Sequence, residues 1–115
     1  MKFEIDRKRW LRGEGPSLSA LLRKSDGKMC CLGFKAKALG IADADITDKG
    51  HPRSTRNCEQ WCDIAGLDRA AVFEKLSDIY NPFMMVNDDG CVKDTKREER
   101  LIKMFADIGD EVTFV

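Results

Sequence analysis

The sequence predicts a single α+β domain over residues 1–115. Helices pack around a central apolar helix at about residues 30–39, and a small antiparallel sheet pairs the N- and C-terminal strands. Three observations predict this. Cys30, Cys31, Phe34, Ala38 and Ile41 share one broad face at helical spacing, while Leu32, Ala36 and Leu39 fall on roughly the opposite face, with Lys35 and Lys37 at the margins. A helix that is apolar on two sides must be covered on both. Phe3 and Ile5 alternate with Lys2, Glu4 and Asp6 at one end of the chain, and Val112 and Phe114 alternate at the other, the pattern of half-buried strands. Finally, 115 residues with 43% apolar content are enough for one core without disulfide or metal staples.

Between these landmarks each element has a local reason. Residues 7–12 are basic around Trp10 and Leu11, and Gly13-Glu14-Gly15-Pro16 is a break. Ser17 is the expected cap of a short helix over 18–24 with Leu18, Leu21 and Leu22 inward, stopped at Gly27 by a positive φ. Gly33, inside the central helix, marks a place where another backbone comes close. Residues 42–57 are polar and aperiodic, and read as a long surface loop. Asn57 with Gln60 forms a capping box for a helix over 58–65, where Cys58, Trp61, Cys62 and Ala65 share a face. Asp68 caps a helix whose stripe is Val72, Phe73, Leu76, Ile79 and Tyr80, and Asn81-Pro82 is expected to end it. Residues 83–86 read as a short strand or buried turn, and Asn87-Asp88-Asp89-Gly90 as a turn. Thr95 and Glu98 form a second capping box before a helix with Leu101, Ile102, Phe105 and Ile108 inward. The charged side chains from Lys96 to Lys103 read as its solvated face.

Twenty basic and twenty acidic residues cancel, so no global field favours nucleic acid or an anionic membrane. No apolar run reaches membrane-span length, and the N-terminus lacks the apolar core of a signal peptide, so the expected compartment is the cytoplasm. Five cysteines, two of them adjacent, then read as free thiols, mostly buried.

Several side-chain sets carry candidate chemistry. Cys58 and Cys62, with His51 and Cys91, would make four zinc ligands, but the spacing is not that of zinc-binding loops, and the commoner reading puts both cysteines on an apolar face with Trp61. No metal and no cofactor is assigned. A calcium loop is excluded: aligned on Gly90, its first ligand would be Met85 and its last Lys96. Cys30 or Cys31 at a helix N-terminus beside Lys28 could act as a nucleophile, with His51 as base and Asp88 or Asn87 orienting it. Buried structural cysteines are the commoner alternative. Neither a phosphate-binding loop nor a dinucleotide fingerprint is present, since the residue five before Gly27 is Leu22. An anion could still meet the helix start at Lys28, or Arg7, Lys8, Arg9 and Arg12 around Trp10, although a solvated strand end is the commoner reading of that basic run.

The order Trp10-x-Arg12-Gly13, Leu21-Leu22, then Gly27-Lys28-x-Cys30-Cys31-Leu32-Gly33-Phe34 resembles small proteins encoded by tailed phages and prophages. In those proteins a tryptophan and a leucine-rich helix precede a C-C-L-G-[VF] segment, followed by a variable middle, an L-N-D-x-G turn and an isoleucine-rich helix. Here the turn reads Val86-Asn87-Asp88-Asp89-Gly90, with Val86 in place of leucine, and the terminal strand is longer. The resemblance implies a source and a compartment, the host cytoplasm, and no particular reaction. Small phage accessory proteins are often inhibitors of host defence, which bind a host protein or sequester a nucleotide immune signal. The expected function is therefore that of a binding protein directed at a host defence protein or a nucleotide-type signal. Its candidate contacts are Arg12, Lys28, His51, Arg53, Arg56, Asn87 and Asp88. A nucleotide sponge built from so small a chain would need a homo-oligomer to enclose its ligand. The rivals are a cysteine hydrolase using Cys30 or Cys31 with His51 and Asp88, and a structural module without a ligand.

Overall fold

The computed structural model describes residues 1–56, 58–64 and 66–115. The elements in chain order are β1 (Lys2–Ile5), α1 (Cys31–Ala38), α2 (Asp43–Ile46), α3 (Arg69–Glu74), α4 (Leu76–Asp88), α5 (Asp94–Asp107) and β2 (Glu111–Phe114), with short 3₁₀ turns at Pro52–Ser54 and Cys58–Cys62. The α+β mixture is as expected. The sheet is not: β1 and β2 pair in parallel, with Phe3 beside Val112 and Ile5 beside Phe114. Alternating burial is the same for either direction, so the pattern could not tell them apart. No hairpin joins the strands. The direction of β2 is set by the tight turn at Gly109, which has a positive φ and sends the chain back along α5.

The core lies where α1 packs between β1 on one side and α4 on the other. All of Cys31, Leu32, Gly33, Phe34, Lys35 and Ala36 are buried, as a helix apolar on two faces requires, but the last turn is not: Ala38, expected on a buried face, is exposed with Lys37. Gly33 is indispensable in shape: a Cβ there would lie 1.8 Å from the Leu21 carbonyl oxygen. Lys35, placed at the helix margin by the sequence pattern, is 1% exposed. Its ammonium pairs with Asp110 and lies 5.7 Å from the Tyr80 ring centroid. Burial pushes its pKa down, and Asp110 opposes the shift.

Residues 18–24 are not helical. Their backbone groups are used sideways instead: Leu21 N–H donates to Lys49 O, Cys30 N–H to Ala20 O, Asp48 N–H to Leu22 O and Arg23 N–H to Lys28 O. A segment whose polar groups are claimed by neighbours has none left for its own helix. Leu21 is buried, but Leu18 is exposed. Those same bonds order the expected surface loop: it contains α2, whose Ile46 is fully buried. The capping pair Asn57–Gln60 and the position of Ala65 involve residues outside those described. Cys58–Cys62 is a 3₁₀ turn with Trp61 and Cys62 buried.

The larger departure is α4. It runs through Pro82 to Asp88, so residues 83–86 are neither strand nor turn, and Asn87 and Asp88 are its last helical residues. Pro82 lies on the exposed side. Leu76, Tyr80, Phe83 and Asn87 form one continuous buried face, and packing of that face holds a helix that proline alone would break. The helix expected as one unit from Asp68 is divided at Lys75, and Phe73 is exposed. In α5 the second capping box does not form, because the helix starts at Asp94 without a side-chain cap. Glu98 instead accepts from Arg7 at 2.9 and 2.7 Å.

Candidate functional site

The end of α4 is where the polar residues singled out by the sequence come together. Asn87 is completely buried. Its Oδ1 accepts from Trp10 Nε1 at 2.8 Å and from the Cys31 N–H at 3.0 Å; its Nδ2 donates to Leu11 O at 3.0 Å and to Asp88 Oδ1 at 2.9 Å. One amide thus uses both donor hydrogens and both acceptor positions. It ties the N-terminal segment to the start of α1 and the end of α4. At the helix start, where an anion was expected, the Cys31 N–H is thus taken by Asn87 and the Cys30 N–H by Ala20 O.

Arg97 closes the same helix end. It is 2% exposed, and its guanidinium donates to Val86 O, Asn87 O and Val92 O at 2.8, 2.9 and 2.8 Å. The expected solvated face of α5 thus has one member working as the cap of α4, where a cation suits the carbonyl end of a helix. Gly13 N–H and Gly15 N–H donate to Asn87 O and Asp88 O at 2.9 and 3.0 Å, both glycines having positive φ. These bonds set Pro16 beside α4.

The result is a groove of about 480 Å³ lined by Pro16, Asn81, Met84, Met85, Asp88 and Asp89. Its walls are mainly apolar, and Met85 is 73% exposed. No cation pairs with Asp88 or Asp89 among the described residues. Met85, Met84 and Asn81 were missed at the level of sequence because the helix was expected to stop at Pro82. Carried through Pro82, helical spacing puts Asn81 with Met85 and Met84 with Asp88, each pair four apart.

The other candidate contacts do not converge. Arg12 is committed to Asp94, at 3.2 and 3.0 Å, and to the carbonyls of Arg7 and Trp10, both at 3.0 Å, and it stacks 4.6 Å from the Trp10 ring centroid. Arg53 caps α3 by donating to Phe73 O at 2.9 Å. Lys28 is half-buried, and its backbone N–H donates to Asp26 Oδ1 at 3.1 Å. The Arg23 guanidinium, with that N–H, holds the exposed Asp26 carboxyl down at about 2. Arg56 is exposed and lines a second, polar groove of about 390 Å³ with Ala44, Asp45, Lys49, Ser54 and Thr55.

His51 Nδ1 accepts the Arg53 N–H at 3.0 Å, which leaves the ring proton on Nε2, a buried atom without a well-formed hydrogen bond. Burial pushes the His51 pKa down, the neighbouring Asn81 side chain opposes the shift, and Arg53 adds to it. Cys30 and Cys31 are buried. Loss of solvation pushes the Cys30 thiol up to about 12 and Cys31 well above its ordinary value. Both are therefore protonated at neutral pH, and the Cys31 thiol donates to Phe83 O at 3.9 Å. The sulfur–imidazole hydrogen bond that a nucleophile would need is absent among the described residues. All five cysteines are free, and Cys91 is exposed. Among the described residues, no three His, Cys, Asp or Glu side chains gather to hold a metal ion, so Cys58, Cys62, His51 and Cys91 form no such site. No helix among them is long and apolar enough to cross a membrane.

Comparison with protein-family models, with curated proteins and with solved structures finds no match.

Proposed function

We propose that this chain is a small binding protein of phage origin, acting in the host cytoplasm, which engages a host defence protein by surface contact and without catalysis. One observation carries the reading: a braced, mainly apolar groove with Met85 in open solvent and, at one end, the exposed Asp89 and the largely buried Asp88, neither paired with a cation among the described residues. An apolar side chain flanked by basic residues on the partner complements it, since the side chain replaces water on Met84, Met85 and Pro16 while the cations meet Asp88 and Asp89. The phage setting rests on the resemblance of the C-C-L-G and N-D segments. The probe is a fluorescein-labelled nonapeptide with a central leucine and two arginines on either side, followed by polarisation. Wild type should bind it and not the same peptide with glutamates for arginines. Met85→Lys should weaken binding about tenfold or more, as loss of a central anchor does. Equal binding of the two peptides, or no effect of Met85→Lys, contradicts the reading.

The rival reading is a nucleotide-type ligand in the second groove, where Lys49, Arg56 and Ser54 stand with Asp45, the Thr55 hydroxyl being taken by Pro52 O and the Trp61 indole. Incubation with cyclic and ADP-ribose-type nucleotides, followed by denaturation, separates the two. Recovery of intact nucleotide from wild type but not from Lys49→Glu/Arg56→Glu moves the ligand to this groove. Recovery of an altered nucleotide makes the chain an enzyme.

A further inference from the structure

The two-stranded sheet leaves its outer edges without partners among the described residues. In the parallel ladder, Met1 O accepts from Glu111 N–H, Ile5 O from Val115 N–H, and Val115 O from Arg7 N–H. The odd residues of β1 thus direct their backbone groups toward β2, and Lys2 and Glu4 direct theirs the other way. Outside the β1–β2 ladder no backbone hydrogen bond among the described residues involves the N–H or C=O of Lys2 or Glu4, and the ladder turns those groups away from β2. Both side chains are exposed, while Phe3 and Ile5 face the core. On β1 pack β2 and α1, and Phe105 of α5 meets the Phe3 ring edge-on with centroids 5.2 Å apart.

From this edge we infer that the chain forms a homodimer, in which β1 pairs antiparallel with β1 of a second copy about a twofold axis at Phe3. The register follows from the backbone. Residues whose groups point outward must form the hydrogen-bonded pairs, so Lys2 of each copy lies opposite Glu4 of the other. Four backbone bonds and two opposite-charge pairs then form at once. The alternatives are worse. Parallel pairing in register sets Lys2 against Lys2 and Glu4 against Glu4. The β2 edge, paired antiparallel about Thr113, sets Glu111 against Val115 with no ion pair. An edge lysine commonly guards against strand addition. Here Glu4 cancels that guard in one register only, so the partner that fits is a second copy of this strand. The product is a four-stranded sheet in the order β2, β1, β1 and β2.

Sedimentation velocity from about 1 µM to about 1 mM tests this on four forms of the full chain. Wild type should pass from monomer to dimer over that range. Lys2→Glu and Glu4→Lys each turn two attractive pairs into two repulsive ones, and should each raise the dissociation constant about tenfold or more. The double variant Lys2→Glu/Glu4→Lys restores opposite charges and should recover dimerisation. Glu4→Lys leaves the internal Lys2–Glu111 pair in place, so its effect reports on the edge alone. A wild type that stays monomeric throughout, or single reversals that dimerise as well as wild type, would overturn the inference.

Discussion

Asn87 shows how one side chain sets the local order. Its amide joins Trp10, Leu11, Cys31 and Asp88 without access to solvent. Asn87→Ala strands the Trp10 indole N–H, the Cys31 N–H and the Leu11 carbonyl, and should cost about 3–5 kcal/mol in urea unfolding. A loss under about 1 kcal/mol would mean that water replaces the amide. Read in sequence, Asn87-Asp88-Asp89-Gly90 looks like a turn, since Asn and Asp favour turns; nothing local says that both ends of one amide are used by distant segments. His51 makes a second prediction. Its folded pKa lies below its unfolded one, so its neutral form is the one the fold prefers. The stability it contributes is complete above about pH 6.5 and is lost as the pH falls through the depressed value. Wild type should therefore lose more stability between pH 7.5 and pH 5 than His51→Asn, which keeps an acceptor for the Arg53 N–H and does not titrate. Equal pH profiles would place the histidine outside the folding equilibrium.

At the scale of elements, tertiary packing overrules local signals in two places. Pro82 marks a stop in sequence, yet α4 passes through it because Tyr80, Phe83 and Asn87 are held on one face. Residues 18–24 carry a cap and a leucine pattern, yet their backbone bonds go to Lys49, Asp48, Lys28 and Cys30. The central helix was legible because it combines two apolar faces with an internal glycine, and both features have one cause, close packing around Cys31–Ala36. Gly33→Ala places a methyl group against the Leu21 carbonyl and should cost at least about 3 kcal/mol, or prevent folding. An alanine variant as stable as wild type in thermal unfolding would show that the Leu21 segment yields freely. The groove was not legible because its assignment to a face depended on α4 continuing past Pro82.

Across the whole molecule, the two ends of the chain lie side by side in the sheet, and the buried Lys35–Asp110 pair fastens the central helix to the start of β2. Two of the charges that looked available for a ligand are used in the fold, Arg12 holding Asp94 and Arg53 capping α3, and Arg97, expected on a solvated face, caps α4. Spacing reveals which residues are charged and not which are spoken for, so the list of candidate contacts contained mainly structural residues. The Met85 groove is open to a partner, beside the Asn87 node that braces it. The most direct test is a titration of the 15N-labelled chain with the arginine-flanked leucine peptide, read by backbone amide shifts. The account predicts shifts confined to Asn81, Met84, Met85, Asp88 and Asp89 and the amides next to Pro16. Shifts centred on Arg12, Lys28 or Arg56, or no shifts at saturating peptide, would contradict it.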